Sequence, residues 1–305
     1  MSFFNSYLLW QTGIDQTDAV EAAELMEKCK AAAVDGKKVT DPNLCERIYR
    51  NGLLGEACKR RGISAAWPSP ATVIGNFFHT CLHVIVAVLI FPISFFTSYY
   101  AHYRLNQMIE NTRKLDDGNG DVDKDDCPKT AAEFIRSAEI RNEICRRSGS
   151  EPLTSYGPDN SLSSSYYNMF SHRVTVPKCL AKSKSPMALA VAAHECGHAE
   201  QRIFLIARLI AYITAIVAAS ICFVLFNFVA AYAILAIVAV AVVATSIVAA
   251  LYEINASRRG LANLFAHGYV RGESAAKTAT YALQLAALTY ISGVMSSIFN
   301  VFQGT

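Results

Sequence analysis

The sequence predicts a mainly α-helical, polytopic membrane protein carrying an H-E-x-x-H helix and a short edge strand. Three observations lead there. Of the 305 residues, 52% are hydrophobic and only 17% charged, with a mean hydropathy of +0.25, a balance more apolar than ordinary globular domains show. The apolar residues are also bunched: neither Asn76 to Tyr100 nor Leu209 to Tyr252 contains an Asp, Glu, Lys or Arg. Finally, His194-Glu195-Cys196-Gly197-His198 follows Ser185-Pro186, a serine suited to cap free amides and a proline suited to a first helical turn.

Other classes are excluded early. A formal charge of +3 gives no electrostatic footprint for nucleic acid. Nine cysteines, an odd number without a C-x-x-C pair, argue against both a disulfide framework and a thiolate zinc site. Phe3 to Trp10 is apolar but lacks the basic flank and small-residue cleavage site of a signal peptide.

Residues 1–75 read as a soluble helical N-terminal extension, in which Asp18 with Glu21 resembles a cap and Asp41-Pro42 opens a second helical stretch. Trp67-Pro68-Ser69-Pro70 breaks that pattern. Residues 76–100 then form the first predicted transmembrane helix, long enough for a hydrocarbon core of about 30 Å. Residues 101–150 read as an acidic linker and a helix. Asp117, Asn119 and Asp121 start like a calcium loop, but Val122 and Pro128 occupy the glycine and closing-glutamate positions, so the run reads as a solvated linker. Thr130 and Glu133 form a capping-box pattern for a helix from Ala131 to Arg147, ended by Gly149.

The remaining residues, 151–305, are read as one membrane-embedded domain. Gly157 to Ser171 is a Ser/Tyr/Asn/Pro-rich loop, and His172 to Pro177 alternates as a half-buried strand that Pro177 confines to an edge. The 44 uncharged residues from Leu209 to Tyr252 would extend about 66 Å as one helix, so they are expected to fold back near Asn227 to Ala230 as a hairpin of about 205–251. A last span is placed at about 278–302, with a peripheral amphipathic helix as the alternative.

The chemistry sits in the H-E-x-x-H segment. Positions i and i+4 of a helix share a face, so His194 and His198 can reach one ion while Glu195 sits beside a water on it. Two imidazoles and a carboxylate leave zinc one open position, which suits hydrolysis with Glu195 as general base. The hairpin returns Glu253 to the side of the bilayer that His198 occupies, making it the third-ligand candidate; Glu200 and Glu151 compete, and a snorkelling interfacial charge is the plain alternative. Ser257, one turn from Glu253, is a candidate to orient its carboxylate. Cys196 reads as a packing residue, and Gly197 as a place where another backbone approaches. Arg258, Arg259, His267 and Tyr290 are candidates to stabilise an oxyanion. His79 and His83 repeat the i, i+4 spacing but have Thr80 where a catalytic glutamate would stand.

Three segments carry a family resemblance: Val191 to Gln201 around the histidines, Glu253-Ile254-Asn255-Ala256-Ser257-Arg258-Arg259, and Ala286-Ala287-Leu288-Thr289-Tyr290. Together they resemble the YugP-type neutral zinc metallopeptidases of bacterial membranes, and more distantly the zincin-like HtpX and CAAX-prenyl-protease gluzincins. The resemblance covers about residues 150–302. It implies zinc on His194, His198 and Glu253, and proteolysis at a membrane surface. Where that family shows an Asp-His-Tyr-Asp segment, this chain has Ser164-Ser165-Tyr166-Tyr167-Asn168, which removes the basis for carrying over a role there.

The expected function is therefore zinc-dependent endopeptidase activity on peptide or protein substrates at a lipid bilayer, the alternative being a non-catalytic zinc-binding scaffold or adaptor. The expected location is a bacterial inner or plasma membrane. Positive charges from Arg104 to Lys277 outnumber Lys59, Arg60 and Arg61 on the opposite side, which places the site on the cytoplasmic face.

Overall fold

A computed structural model describes residues 16–33, 38–39, 41–65, 100–101, 103–108, 110–111, 127–158, 165–225 and 248–303. The N-terminal unit comprises α1 (Gln16–Ala32), α2 (Pro42–Arg50) and α3 (Gly52–Arg60), with a two-residue parallel pairing of β1 (Lys38–Val39) and β2 (Ser64–Ala65). Asp41 starts α2 as expected, its side chain accepting from the Asn43 amide at 3.0 Å ahead of Pro42. Apolar residues at helical spacing (Ala19, Ala22, Leu25, Met26, Cys29) bury one face of α1. That helix packs on α3 and on the C-terminal helix.

The capping box at Thr130 and Glu133 forms in both directions. It opens α4 (Ala131–Arg136), but the expected single helix breaks at Ser137, whose extended backbone restarts the chain as α5 (Ala138–Ser148) before the left-handed Gly149. Three strands follow: β3 (Leu153–Gly157), β4 (Tyr166–Asn168) and β5 (Arg173–Pro177). Their order is β3-β5-β4, with β5 parallel to β3 and antiparallel to β4. The 172–177 strand is thus central rather than at the edge. The edge beside the metal-motif helix is Tyr166–Asn168, within the stretch read as loop. Asn168 turns the chain between β4 and β5, its side chain accepting from the Phe170 and Ser171 amides.

After α6 (Lys178–Lys182) comes the central helix α7 (Pro186–Glu200), capped by Ser185, whose hydroxyl accepts from the Ala188 amide at 3.1 Å. All of α7 except Pro186 and Val191 is buried, against α4, α5, β4, β5 and α10 (Glu273–Gln303). Between α7 and α10 run α8 (Arg202–Leu225) and the helix at 248–266, here α9. Seven described cysteines are free thiols, and Cys196 lies fully buried in the core.

The polytopic membrane fold expected above is corrected here. Among the described residues no single helix is long and apolar enough to cross a bilayer; one pair, Pro186–Glu200 with Arg202–Ala218, reaches that length and composition only across a 62° bend. The apolar character of α7 belongs to the protein interior, where a helix apolar on all sides is expected. The span placed at 278–302 lies in α10, whose Ala279, Ala282, Leu283, Leu285 and Leu288 are buried in the protein along with the polar Thr280 and Gln284. The first predicted span, the hairpin turn near Asn227, the aspartate run and the His79/His83 pair lie outside the described residues, Tyr100 apart. The residues expected to form the first half of the hairpin lie in α8, where Ile203, Phe204, Ile210, Ile213, Ile216, Val217 and Ile221 are exposed, as is every described side chain from Ile210 to Ile221.

Candidate metal centre

Two helices make the site by crossing at backbone contact. A Cβ on Gly197 of α7 would stand 2.2 Å from the Ala256 carbonyl oxygen of α9, and one on Gly260 of α9 would stand 2.6 Å from the Ala193 carbonyl oxygen of α7. Ala193-x-x-x-Gly197 and Ala256-x-x-x-Gly260 therefore meet reciprocally and antiparallel. The close approach expected of Gly197 is realised, and only glycine leaves room for it. This crossing brings Ser257 opposite His194, and Glu253, one turn earlier, opposite His198.

The ligand atoms converge. His194 Nε2 and His198 Nε2 are 3.1 Å apart, and Glu253 Oε2 lies 3.2 Å from the first and 3.1 Å from the second. Donors at about 2.0–2.2 Å from a tetrahedral zinc stand about 3.3 Å apart, so the triangle matches one ion with little adjustment. The imidazoles meet edge to face, with ring centroids 4.6 Å apart. Among the described residues, His194, His198 and Glu253 are the one group of histidine, cysteine or carboxylate side chains so arranged. Burial alone would raise the Glu253 carboxyl, but hydrogen bonds from both histidines outweigh it and hold the group well below the usual carboxylate range.

Ser257, fully buried, sits 3.0 Å from His194 Nδ1. It thus orients the imidazole rather than the carboxylate, holding the ring with Nε2 in the triangle. Glu195 is buried beside the two histidines, and burial pushes its carboxyl up, countered by His194 and His198. It also accepts a hydrogen bond from the Tyr167 backbone amide. That amide belongs to β4, so the outer edge of this strand runs directly past the catalytic-base candidate.

The strand is held in place from behind. His172, at a left-handed φ of 48°, donates from Nε2 to the Ser150 carbonyl at 2.8 Å. Its Nδ1 therefore accepts from the Tyr167 hydroxyl at 2.6 Å. Arg202 braces the same turn, reaching the Met169 carbonyl at 3.0 Å and the Ser150 hydroxyl at 2.8 Å. None of Tyr167, His172 or Arg202 stood out as a site residue in the sequence. The available signal was the Tyr-Tyr-Asn run ahead of an asparagine turn and an alternating strand.

The competing ligand candidates lie elsewhere. Glu151 pairs with Arg141 at the surface, and Glu200 is enclosed by arginines, so neither faces the triangle. Arg259 reaches Glu200 at 3.3 Å, and Arg258 is exposed. His267 lies past the end of α9, about 20 Å of helix from Glu253. Burial, with help from Arg61, depresses its pKa to about 4. Tyr290 is on α10, with its side chain outside the described residues.

An H-E-x-x-H helix, a glutamate from a second helix and a strand edge beside them define a zinc-hydrolase type of centre. Residues 159–304, just under half of the chain, match the family described as "Putative neutral zinc metallopeptidase". Zinc is the cofactor this similarity implies, and the His-His-Glu triangle is a site that fits it. No curated protein and no solved structure matches the chain.

Proposed function

We propose that the protein is a zinc-dependent endopeptidase of the gluzincin type, with zinc on His194, His198 and Glu253 and with Glu195 as general base. The observation that carries this reading is the convergence of three donor atoms within 3.1–3.2 Å beside a second carboxylate, that of Glu195. When bound, zinc supplies Lewis acidity toward water and toward a peptide carbonyl. Glu195 takes the proton from the attacking water and delivers it to the leaving amine. Ser257 holds the His194 ring in place, and the Tyr167 amide holds Glu195. The outer edge of β4 offers backbone groups to an extended peptide, which supports a protein or peptide substrate laid beside Glu195. A scaffold that keeps zinc for structure has no use for a base beside its ligands, and this favours the enzyme.

The test is zinc content with cleavage of an unfolded protein substrate. Wild type is expected to hold one zinc per chain and to lose cleavage with a chelator. Glu253→Ala is expected to weaken zinc binding by more than about 100-fold, beyond the effect typical of an outer-partner mutation. Zinc retained in Glu253→Ala would remove the third ligand, and bound zinc without cleavage would favour the scaffold.

For the outward face of α8 we propose contact with a lipid bilayer. Ile203, Phe204, Ile210, Ile213, Ile216, Val217 and Ile221 form a larger apolar surface than a solvated helix ordinarily shows. The protein is expected to float with phospholipid vesicles at high salt. Recovery in the unbound fraction, free of detergent and aggregate, would contradict this.

A further inference from the structure

Glu200 ends α7, two residues beyond His198, with a completely buried carboxylate. Its main partner comes from 140 residues upstream. Arg60, at the end of α3 and with a side chain only 1% exposed, donates from Nη1 to Oε1 at 2.8 Å and from Nη2 to Oε2 at 3.0 Å. This is the two-pronged geometry in which a guanidinium fixes orientation as well as charge. The same Nη1 donates to Asn263 Oδ1 at 2.7 Å, and Asn263 Nδ2 donates to Glu200 Oε1 at 2.8 Å. A closed triangle of bonds thus joins α3 to α7 and α9, the two helices that carry the donors of the metal centre.

The surroundings balance the charges. Arg147 and Arg259 approach the Glu200 carboxylate at 3.4 and 3.3 Å, while Glu143 and Glu56 approach Arg60 at 3.4 and 3.2 Å. Three arginines face three glutamates. Buried ion pairs of this kind add little net stability over apolar packing, and what they do fix is geometry. Here the fixed geometry is the end of the metal helix, because a displacement of Glu200 turns the helical segment that includes His198.

We infer that Arg60 is a positioning residue of the zinc site, holding α7 and α9 in register through Glu200 and Asn263. The N-terminal helical unit is then a working part of the metal centre rather than an appended adaptor. This rests on the zinc reading proposed above and adds a residue far upstream of the stretch that matches the family. Arg60 binds Glu200 and Asn263 rather than His194, His198 or Glu253, so its effect must travel through helix placement.

The experiment measures the zinc Kd of the full chain by competition with a chromophoric chelator, alongside the Tm of the zinc-free protein. Arg60→Lys keeps the charge but loses the fork. It is expected to melt near wild type and to bind zinc about tenfold more weakly, in the range typical of outer-partner mutations. Arg60→Met combined with Glu200→Met removes both charges together while Arg147 stays paired with Glu56 and Glu143, and it is expected to show at least the same loss. A purely structural role would lower Tm and leave the Kd of the folded protein unchanged. A folded Arg60→Lys protein that binds zinc as tightly as wild type overturns the inference. Absence of zinc from wild type would overturn the metal reading itself, a separate outcome.

Discussion

Glu195→Gln is expected to reduce cleavage by about 10²–10⁴-fold, the range assigned to a positioned general acid–base group. Zinc content and Tm should stay near wild type. The amide is isosteric, still accepts from the Tyr167 backbone through its carbonyl oxygen, and leaves the donors on His194, His198 and Glu253 in place. The loss should fall on kcat more than on KM, because proton transfer belongs to the transition state rather than to substrate binding. A Glu195→Gln protein that cleaves at the wild-type rate would show that the proton moves through another group.

Gly197→Ala is expected to damage stability and metal binding together. Its methyl group would fall 2.2 Å from the Ala256 carbonyl oxygen, a backbone atom of α9 that no side-chain rotation can move aside. The helices must separate at the point where the triangle closes. Overpacking of this kind costs about 1–3 kcal/mol, and a shift of a few tenths of an ångström opens contacts now at 3.1–3.2 Å. A lower Tm with weaker zinc affinity is therefore expected, and Gly260→Ala should behave alike because its Cβ meets the Ala193 carbonyl oxygen at 2.6 Å. Unchanged Tm and zinc affinity in Gly197→Ala would mean that the crossing is looser than described.

The centre was legible where local periodicity governs. His194 and His198 share a face at any i, i+4 spacing, Glu195 must sit beside them, and Ser185-Pro186 starts the helix for the reason caps exist. Glu253 was named on the expectation that a membrane hairpin returns the chain to the side of His198; that fold is corrected, and it is the antiparallel crossing of α9 on α7 that sets Glu253 beside the histidines. The partner of Ser257 was misassigned because spacing along one helix shows nearness to Glu253 but not which side chain of the facing helix lies opposite.

Long-range pairings were not legible. The central place of β5 depends on its parallel register with Leu153–Gly157, and β4 is three residues long, too short for an alternation to register. Arg60 reaches Glu200 across 140 positions. The membrane-spanning reading failed for a related reason: composition does not say whether an apolar helix faces lipid or protein, and α7 and much of α10 face protein.

X-ray absorption at the zinc edge of the purified, zinc-loaded chain tests the central claim most directly. The account predicts one zinc per chain with a nitrogen and oxygen shell at about 2.0–2.1 Å and the multiple scattering of two imidazoles. A sulfur shell at about 2.3 Å would place the metal on the chain's cysteines, and it would contradict a centre built by His194, His198 and Glu253.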